Sequence, residues 1–246
     1  MISSIFHSLF YNPLYNGLIY LIDVIPGGDV GVATVILTCV VKFILFPLSK
    51  KATKTQMVMK EIEPEMAKIR EKYGSNREEL AKQTLEFYRK NNLNPFASFF
   101  LILIQLPIIL ALAFVFYQGG LPVIHAELLY SFIHVPSVIN TNFLGLFDIA
   151  KTNFLLSVLT GLAQFIQIRL SVPAHVPAAE GSKSAGFSDD LARSMNVQMR
   201  YVMPIFMFIV CLNLSAAIAL YWITGSLFTI AQELYLRKTL KKNITA

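Results

Sequence analysis

Charge is scarce in this chain. Lys, Arg, Asp and Glu make up 15% of the 246 residues while hydrophobic residues make up 55%, whereas an ordinary soluble domain carries about a quarter charged residues. That balance excludes a soluble globular class and points to an integral membrane protein. Cysteine is scarce too: Cys39 and Cys211 fall in separate apolar runs with no C-x-x-C or Cys/His spacing, so neither a disulfide framework nor a metal site is indicated. The four histidines, His7, His125, His134 and His175, all lie outside the apolar runs. No intramembrane Ser/His pair can therefore be assembled, and H-E-x-x-H, paired aspartates and G-x-x-x-x-G-K-[ST] are absent. The chain reads as no enzyme, with no cofactor, so any work it does draws on binding energy, a partner motor or the membrane potential. The first 26 residues contain no Lys or Arg. They lack the basic leader of a secretory signal and the pattern of a transit peptide, and are expected to stay on the mature protein. Leu14, Leu18, Leu21, Ile22 and Ile25 suggest a short helix along the membrane surface; an ordinary buried amphipathic helix has nearly the same pattern.

Runs near the twenty-residue span length fall at 30–49, 96–117 and 154–172, followed by one apolar stretch over 201–236. As a single helix that stretch reaches about 54 Å against a hydrocarbon core of about 30 Å, so it is expected to fold back near Asn213, Leu214 and Ser215 into two short spans, 201–214 and 215–236. Five spans put the chain ends on opposite sides. Of the 21 Lys and Arg residues, eleven lie between Lys50 and Asn94, and the segment 118–153 holds only Lys151. By the positive-inside rule the N-terminus is outside and the C-terminus cytoplasmic. Residues 1–29 are then an outer interfacial segment, 118–153 an apolar, aromatic extracytoplasmic loop, 173–200 a Pro/Ala/Gly/Ser-rich cytoplasmic linker and 237–246 a basic cytoplasmic tail. Within 50–95, Met59, Ile62, Met66, Ile69 and Tyr73 recur at helical spacing. Gly74 stops that helix, and Ser75 or Asn76 can cap a second, with Glu78 and Glu79 in its first turn. The segment reads as a cytoplasmic helical hairpin.

Lys42 stands inside the first apolar run. A cation at the centre of a spanning helix costs about 2.5–3.5 kcal/mol on insertion scales and ordinarily faces a wet cavity or a partner. The alternative is that its stem snorkels toward Lys50 and Lys51, and position alone leaves both open. The other polar residues inside the runs, among them Gln105, Thr160, Gln164, Gln167, Ser226 and Thr229, suit interhelical hydrogen bonds. Gln164 and Gln167 share one helix face and together with Lys42 could line a groove. Trp222 could be an interfacial anchor.

The run Lys42-FILFPLSKKATKTQ, the charged hairpin, Asn94-Pro95, Leu103-IQLPIILAL, Phe143-LGLFDIAKTNFLLSVLTGLAQFIQ and Ile218-ALYWITGSLFTIAQE, in that order, resemble the YidC/Oxa/Alb membrane protein insertases over about residues 13–240. The resemblance implies an all-α membrane protein: five transmembrane helices around a hydrophilic groove open to the cytoplasm and closed outside, in the short form without a large periplasmic domain. Lys42 stands where the family usually has an arginine, keeping the charge but not the planar fork that binds a carboxylate bidentately. By the same resemblance Gln164 or Gln167 is a groove residue, and Tyr221 and Trp222 face the groove or the substrate path. The implied partners are nascent membrane proteins and the lipid bilayer, with the ribosome, the signal recognition particle machinery and the Sec translocon as candidates for the hairpin and tail, and no DNA. The implied location is the bacterial inner or plasma membrane. A small ion channel or transporter, and a scaffold that inserts nothing, are the competing readings.

Overall fold

The computed structural model describes residues 5–74, 76–91, 97–117, 123–171 and 197–244. These residues are mostly helical, with nine α-helices among them and one two-stranded ribbon. Ser75, Asn94, Pro95 and the linker as far as residue 196 lie outside the described residues.

Helix α1, Asn12–Val24, buries Leu14, Tyr15, Leu18, Ile19 and Ile22 and leaves Tyr20 and Val24 exposed. That is the single apolar stripe of helical spacing, and it is part of the main core with Val30, Ala33 and Leu37 of α2, Val30–Ile44. Asp29 caps α2: one carboxylate oxygen accepts the N–H groups of Gly31 at 2.8 Å and Val32 at 3.0 Å, two of the donors every helix start leaves without partners.

The single helix expected over 30–49 is two. The chain breaks at Leu45 and continues as α3, Phe46–Glu61, bent by 59° from α2. Pro47 explains the break, since it has no N–H for the carbonyl four residues back and its ring crowds that carbonyl. Pro64 marks a second break, at Ile62, so the basic segment comprises α3 followed by the pair α4, Glu63–Tyr73, and α5, Arg77–Lys90. Asn76 caps α5, its side-chain oxygen accepting from the N–H groups of Glu78 and Glu79.

Helix α6, Ala97–Tyr117, contributes Ile108, Ala111, Leu112 and Val115 to the core. Then come a short ribbon, β1 Asn142–Phe143 with β2 Phe147–Asp148, and three closely associated helices: α7, Phe154–Ser171, α8, Met203–Asn213, and α9, Ala216–Ile244. Ring contacts pair Phe154 with Phe208 and Phe165 with Tyr201, so α7 and α8 are antiparallel. Leu214, with φ −107° and ψ 161°, is extended and reverses the chain. Helix α9 runs parallel to α7, touching it near Lys151, Gln164 and Ser171 in turn. The basic residues 237–242, expected in a separate tail, continue α9 because no Gly or Pro interrupts the helix after Gly225.

By length and composition, one helix among the described residues, Phe154–Ser171, can cross a membrane unaided, and Val30–Ile44 with the bent segment after it makes a second. Gln105–Phe116 and Gln198–Asn213 are apolar but shorter. The segments read from the sequence as five spans, the last two expected to be short, fall on helices of unequal length, from 11 residues in α8 to 29 in α9.

One end of the bundle is closed by hydrogen bonds. The second oxygen of Asp29 accepts the Leu144 N–H at 2.7 Å, and Val30 N–H donates to the Asn140 carbonyl at 3.0 Å. The buried Asn16 amide donates to the Leu128 carbonyl and accepts from the Tyr130 N–H, while the Tyr15 hydroxyl accepts the His125 N–H. At the start of α9, Ala216 and Ala217 N–H donate to the carbonyls of Lys151 and Ile149 at 2.7 and 3.0 Å. The loop between α6 and α7 therefore supplies partners to the first turns of α2 and α9, in place of water. It also lies close: a Cβ on Gly31 would stand 2.3 Å from the Phe143 ring.

Asp29 joins three backbone N–H groups, so Asp29→Ala is expected to destabilise the folded protein by about 2 kcal/mol, read as a lowered unfolding temperature in detergent. Asp29→Asn, which keeps one acceptor oxygen, is expected to lose less. Equal stability of the alanine variant and the parent would contradict the capping role.

Candidate substrate site around Lys42

Helix α9 carries a ladder of residues four apart, Tyr221, Gly225, Thr229, Glu233 and Arg237, which fall along one side of a helix because four residues are slightly more than one turn. Three other helices meet this ladder or its flank through polar pairs. From α6, the Gln105 amide donates to the Tyr221 hydroxyl. From α7, Gln164 accepts from the Ser226 hydroxyl at 3.3 Å. From α2, the Lys42 ammonium donates to the Thr229 hydroxyl oxygen at 3.3 Å. Each buried polar group thereby finds a partner that a low-dielectric setting requires.

Lys42 lies in the last turn of α2, three residues before the break at Leu45. Its side chain crosses to α9, and does not follow the chain toward Lys50 and Lys51 on α3. A cation in the last turn of a helix is also favoured by the helix dipole. Even so, an ammonium has three N–H donors, and Thr229 takes one of them. No carboxylate pairs with Lys42 among the described residues.

The carboxylate one turn further along α9 is already engaged. Glu233 is buried, its side chain 5% exposed, and forms an ion pair with Arg237 at 2.7 Å. Its other oxygen accepts from the Ser171 hydroxyl at the end of α7, and Arg237 also donates to the Leu170 carbonyl. This cluster gives one open carbonyl at the end of α7, that of Leu170, a partner and sets a cation against Glu233. Lys42, by contrast, has a neutral acceptor, Thr229, as its hydrogen-bond partner among the described residues.

Of the residues singled out in the sequence, Lys42 and Gln164 both meet α9, at Thr229 and Ser226, three residues apart. Tyr221 is buried one to two turns earlier on the same helix, and half-buried Trp222 stands edge-on to its ring at 6.5 Å between centroids. Gln167 is half-buried and forms no hydrogen bond among the described residues. Reasoning from single residues did not join Gln105 to Tyr221 or Thr229 to Lys42, and it did not mark Gly225, Glu233 or Arg237. The four-residue repeat from 221 to 237 was the available signal.

The family model described as 60Kd inner membrane protein matches residues 21–243. The chain is 30% identical over 233 residues to a membrane protein insertase YidC of Fusobacterium nucleatum, covering 94% of this chain and 98% of that protein. It is also 30% identical over 212 residues to the protein of that name from Oceanobacillus iheyensis, covering 85% and 74%. Against the membrane protein insertase MisCA of Bacillus subtilis the identity is 27% over 233 residues, covering 92% and 77%. With nearly its whole length matched, the chain belongs to the 60Kd inner membrane protein family, that of the YidC/Oxa/Alb membrane protein insertases.

Proposed function

We propose that the protein inserts hydrophobic segments of nascent membrane proteins into the lipid bilayer through a positively charged, water-filled groove that opens to the cytoplasm, without nucleotide hydrolysis. The names borne by its relatives support insertion in general. The observation that carries the finer reading is Lys42: an ammonium between apolar helices, bound to one hydroxyl and matched by no carboxylate among the described residues. Such a cation is stable only if water or a passing anion reaches it.

The energetics need no catalyst. A polar tail entering the bilayer meets its largest cost at its charged residues, about 3 kcal/mol each on insertion scales. A wet groove shortens the dry distance, and Lys42 gives an acidic residue a transient partner across it. Once the tail has crossed, each Leu, Ile, Phe or Val reaching lipid contributes about 0.3–0.6 kcal/mol, so a twenty-residue segment outweighs one or two such charges. Helix α8, with its eleven residues, is shorter than the hydrocarbon is thick, and favours local thinning beside the groove. Gln164, Gln167, Tyr221 and Trp222 line the path in this reading, and the hydrogen-bonded end of the bundle is its closed outer face. The protein sits in a bacterial plasma membrane with five crossings, its N-terminus outside and its C-terminus cytoplasmic. The basic segment α3–α5 and the end of α9 face the ribosome, the targeting machinery or the Sec translocon.

In proteoliposomes containing this protein alone, a single-span substrate with an acidic tail is expected to insert. Lys42→Ala should reduce insertion about tenfold or more, and Lys42→Arg should retain most of it. Equal insertion by all three would remove the charge from the mechanism, and steady ion conductance without insertion would favour a channel.

The orientation is open to a separate check. Cysteines placed at Lys151 and at Thr239, with Cys39 and Cys211 replaced by serine, should react with an impermeant maleimide from outside and from inside the cell respectively. The reverse pattern would overturn the assigned topology.

A further inference from the structure

Lys42 is flexible by nature: an ammonium on a four-carbon stem has many rotamers, and a point charge imposes no direction on its hydrogen bonds. To meet a passing carboxylate in one place it has to be held by its surroundings. Two features of α9 do this. A Cβ built on Gly225 would lie 3.3 Å from Lys42 Cε and 3.8 Å from Nζ, so the end of the stem lies close against the helix at Gly225, and a side chain there would push it away by a few tenths of an ångström. One turn on, the Thr229 hydroxyl donates its proton to the Gly225 carbonyl at 2.8 Å. Its oxygen is thereby left as an acceptor only, and it takes one ammonium proton from Lys42.

The same back-bond to the carbonyl four residues earlier is made by Thr34, Thr38 and Thr160, and in those places it is ordinary helix chemistry. Thr229 differs in that its oxygen also receives a charged donor. Resting on the insertion reading above, we propose that Gly225 and Thr229 are positioning residues that seat Lys42, fixing one of its three N–H groups and directing the other two at a single carboxylate of the substrate tail. The seat matches a lysine, which docks a carboxylate by charge and by single hydrogen bonds. It thus selects tails by acidic residues taken one at a time.

The test measures insertion of two substrates that differ only in one tail residue, Asp or Asn, into proteoliposomes containing the parent, Lys42→Ala, Thr229→Val, Thr229→Ser or Gly225→Ala. The quantity read is the acidic-to-neutral insertion ratio. Thr229→Val is expected to lower this ratio roughly three- to tenfold, the scale of one interhelical hydrogen bond in a membrane, with the acidic-tailed substrate losing more than the neutral one. Thr229→Ser, which retains the hydroxyl, should restore the ratio, and Gly225→Ala should lower it. In a Lys42→Ala background, Thr229→Val should change nothing further, as two residues acting through one interaction are not additive. If Lys42→Ala loses the ratio and Thr229→Val keeps it, the seat is wrong and the charged groove stands. If Lys42→Ala also keeps it, the role given to the Lys42 charge fails first, and the seat with it. If Thr229→Val lowers both substrates equally and serine does not restore the difference, Thr229 is structural packing and the proposal is overturned.

Discussion

An ammonium group between apolar helices has to be compensated, and the way Lys42 is compensated organises the rest of the molecule. Its partner among the described residues is the Thr229 hydroxyl, a neutral group that cannot cancel a charge. The carboxylate one turn further along α9, Glu233, is paired with Arg237 and accepts from Ser171.

The helix ends make the molecule asymmetric along its axis. Around Asp29, Asn16 and the first turn of α9, the loop between α6 and α7 takes up backbone donors that water would otherwise satisfy. At the other end, α2 breaks at Leu45 and the chain leads into the basic helices α3, α4 and α5. A site built between these ends is tied down on one side and joined to charged, solvated helices on the other. In the proposed insertion mechanism this asymmetry suits entry from one face, since a passage sealed at neither end would leak ions and one sealed at both would admit no substrate.

Much of this was legible in the sequence, for specific reasons. A lone cation in an apolar run marked Lys42, because its cost inside hydrocarbon calls for a wet cavity, a partner or a snorkelling stem, and position alone left the choice open. Gly74 and Asn76 marked a turn between helices because their backbone chemistry is local. The breaks at Leu45 and Ile62 were carried by Pro47 and Pro64, yet hydropathy ran straight through the first of them, and a span counted by apolar residues alone comes out five residues too long. The destination of the Lys42 side chain depends on how α2 and α9 pack, which lies 187 residues away in the chain and leaves no trace in local composition. The charged residues after 236 read as a tail because they are polar, although nothing in them stops a helix.

The central claim is that the Lys42 position is reached by water from the cytoplasmic side and from nowhere else. Its most direct test replaces Lys42 with cysteine, in a background with Cys39→Ser and Cys211→Ser, and measures alkylation by an impermeant maleimide in oriented membrane vesicles. The account predicts reaction from the cytoplasmic face and protection when an arrested acidic-tailed substrate is bound. A cysteine that stays unmodified from both faces, or that reacts only from outside, would contradict it.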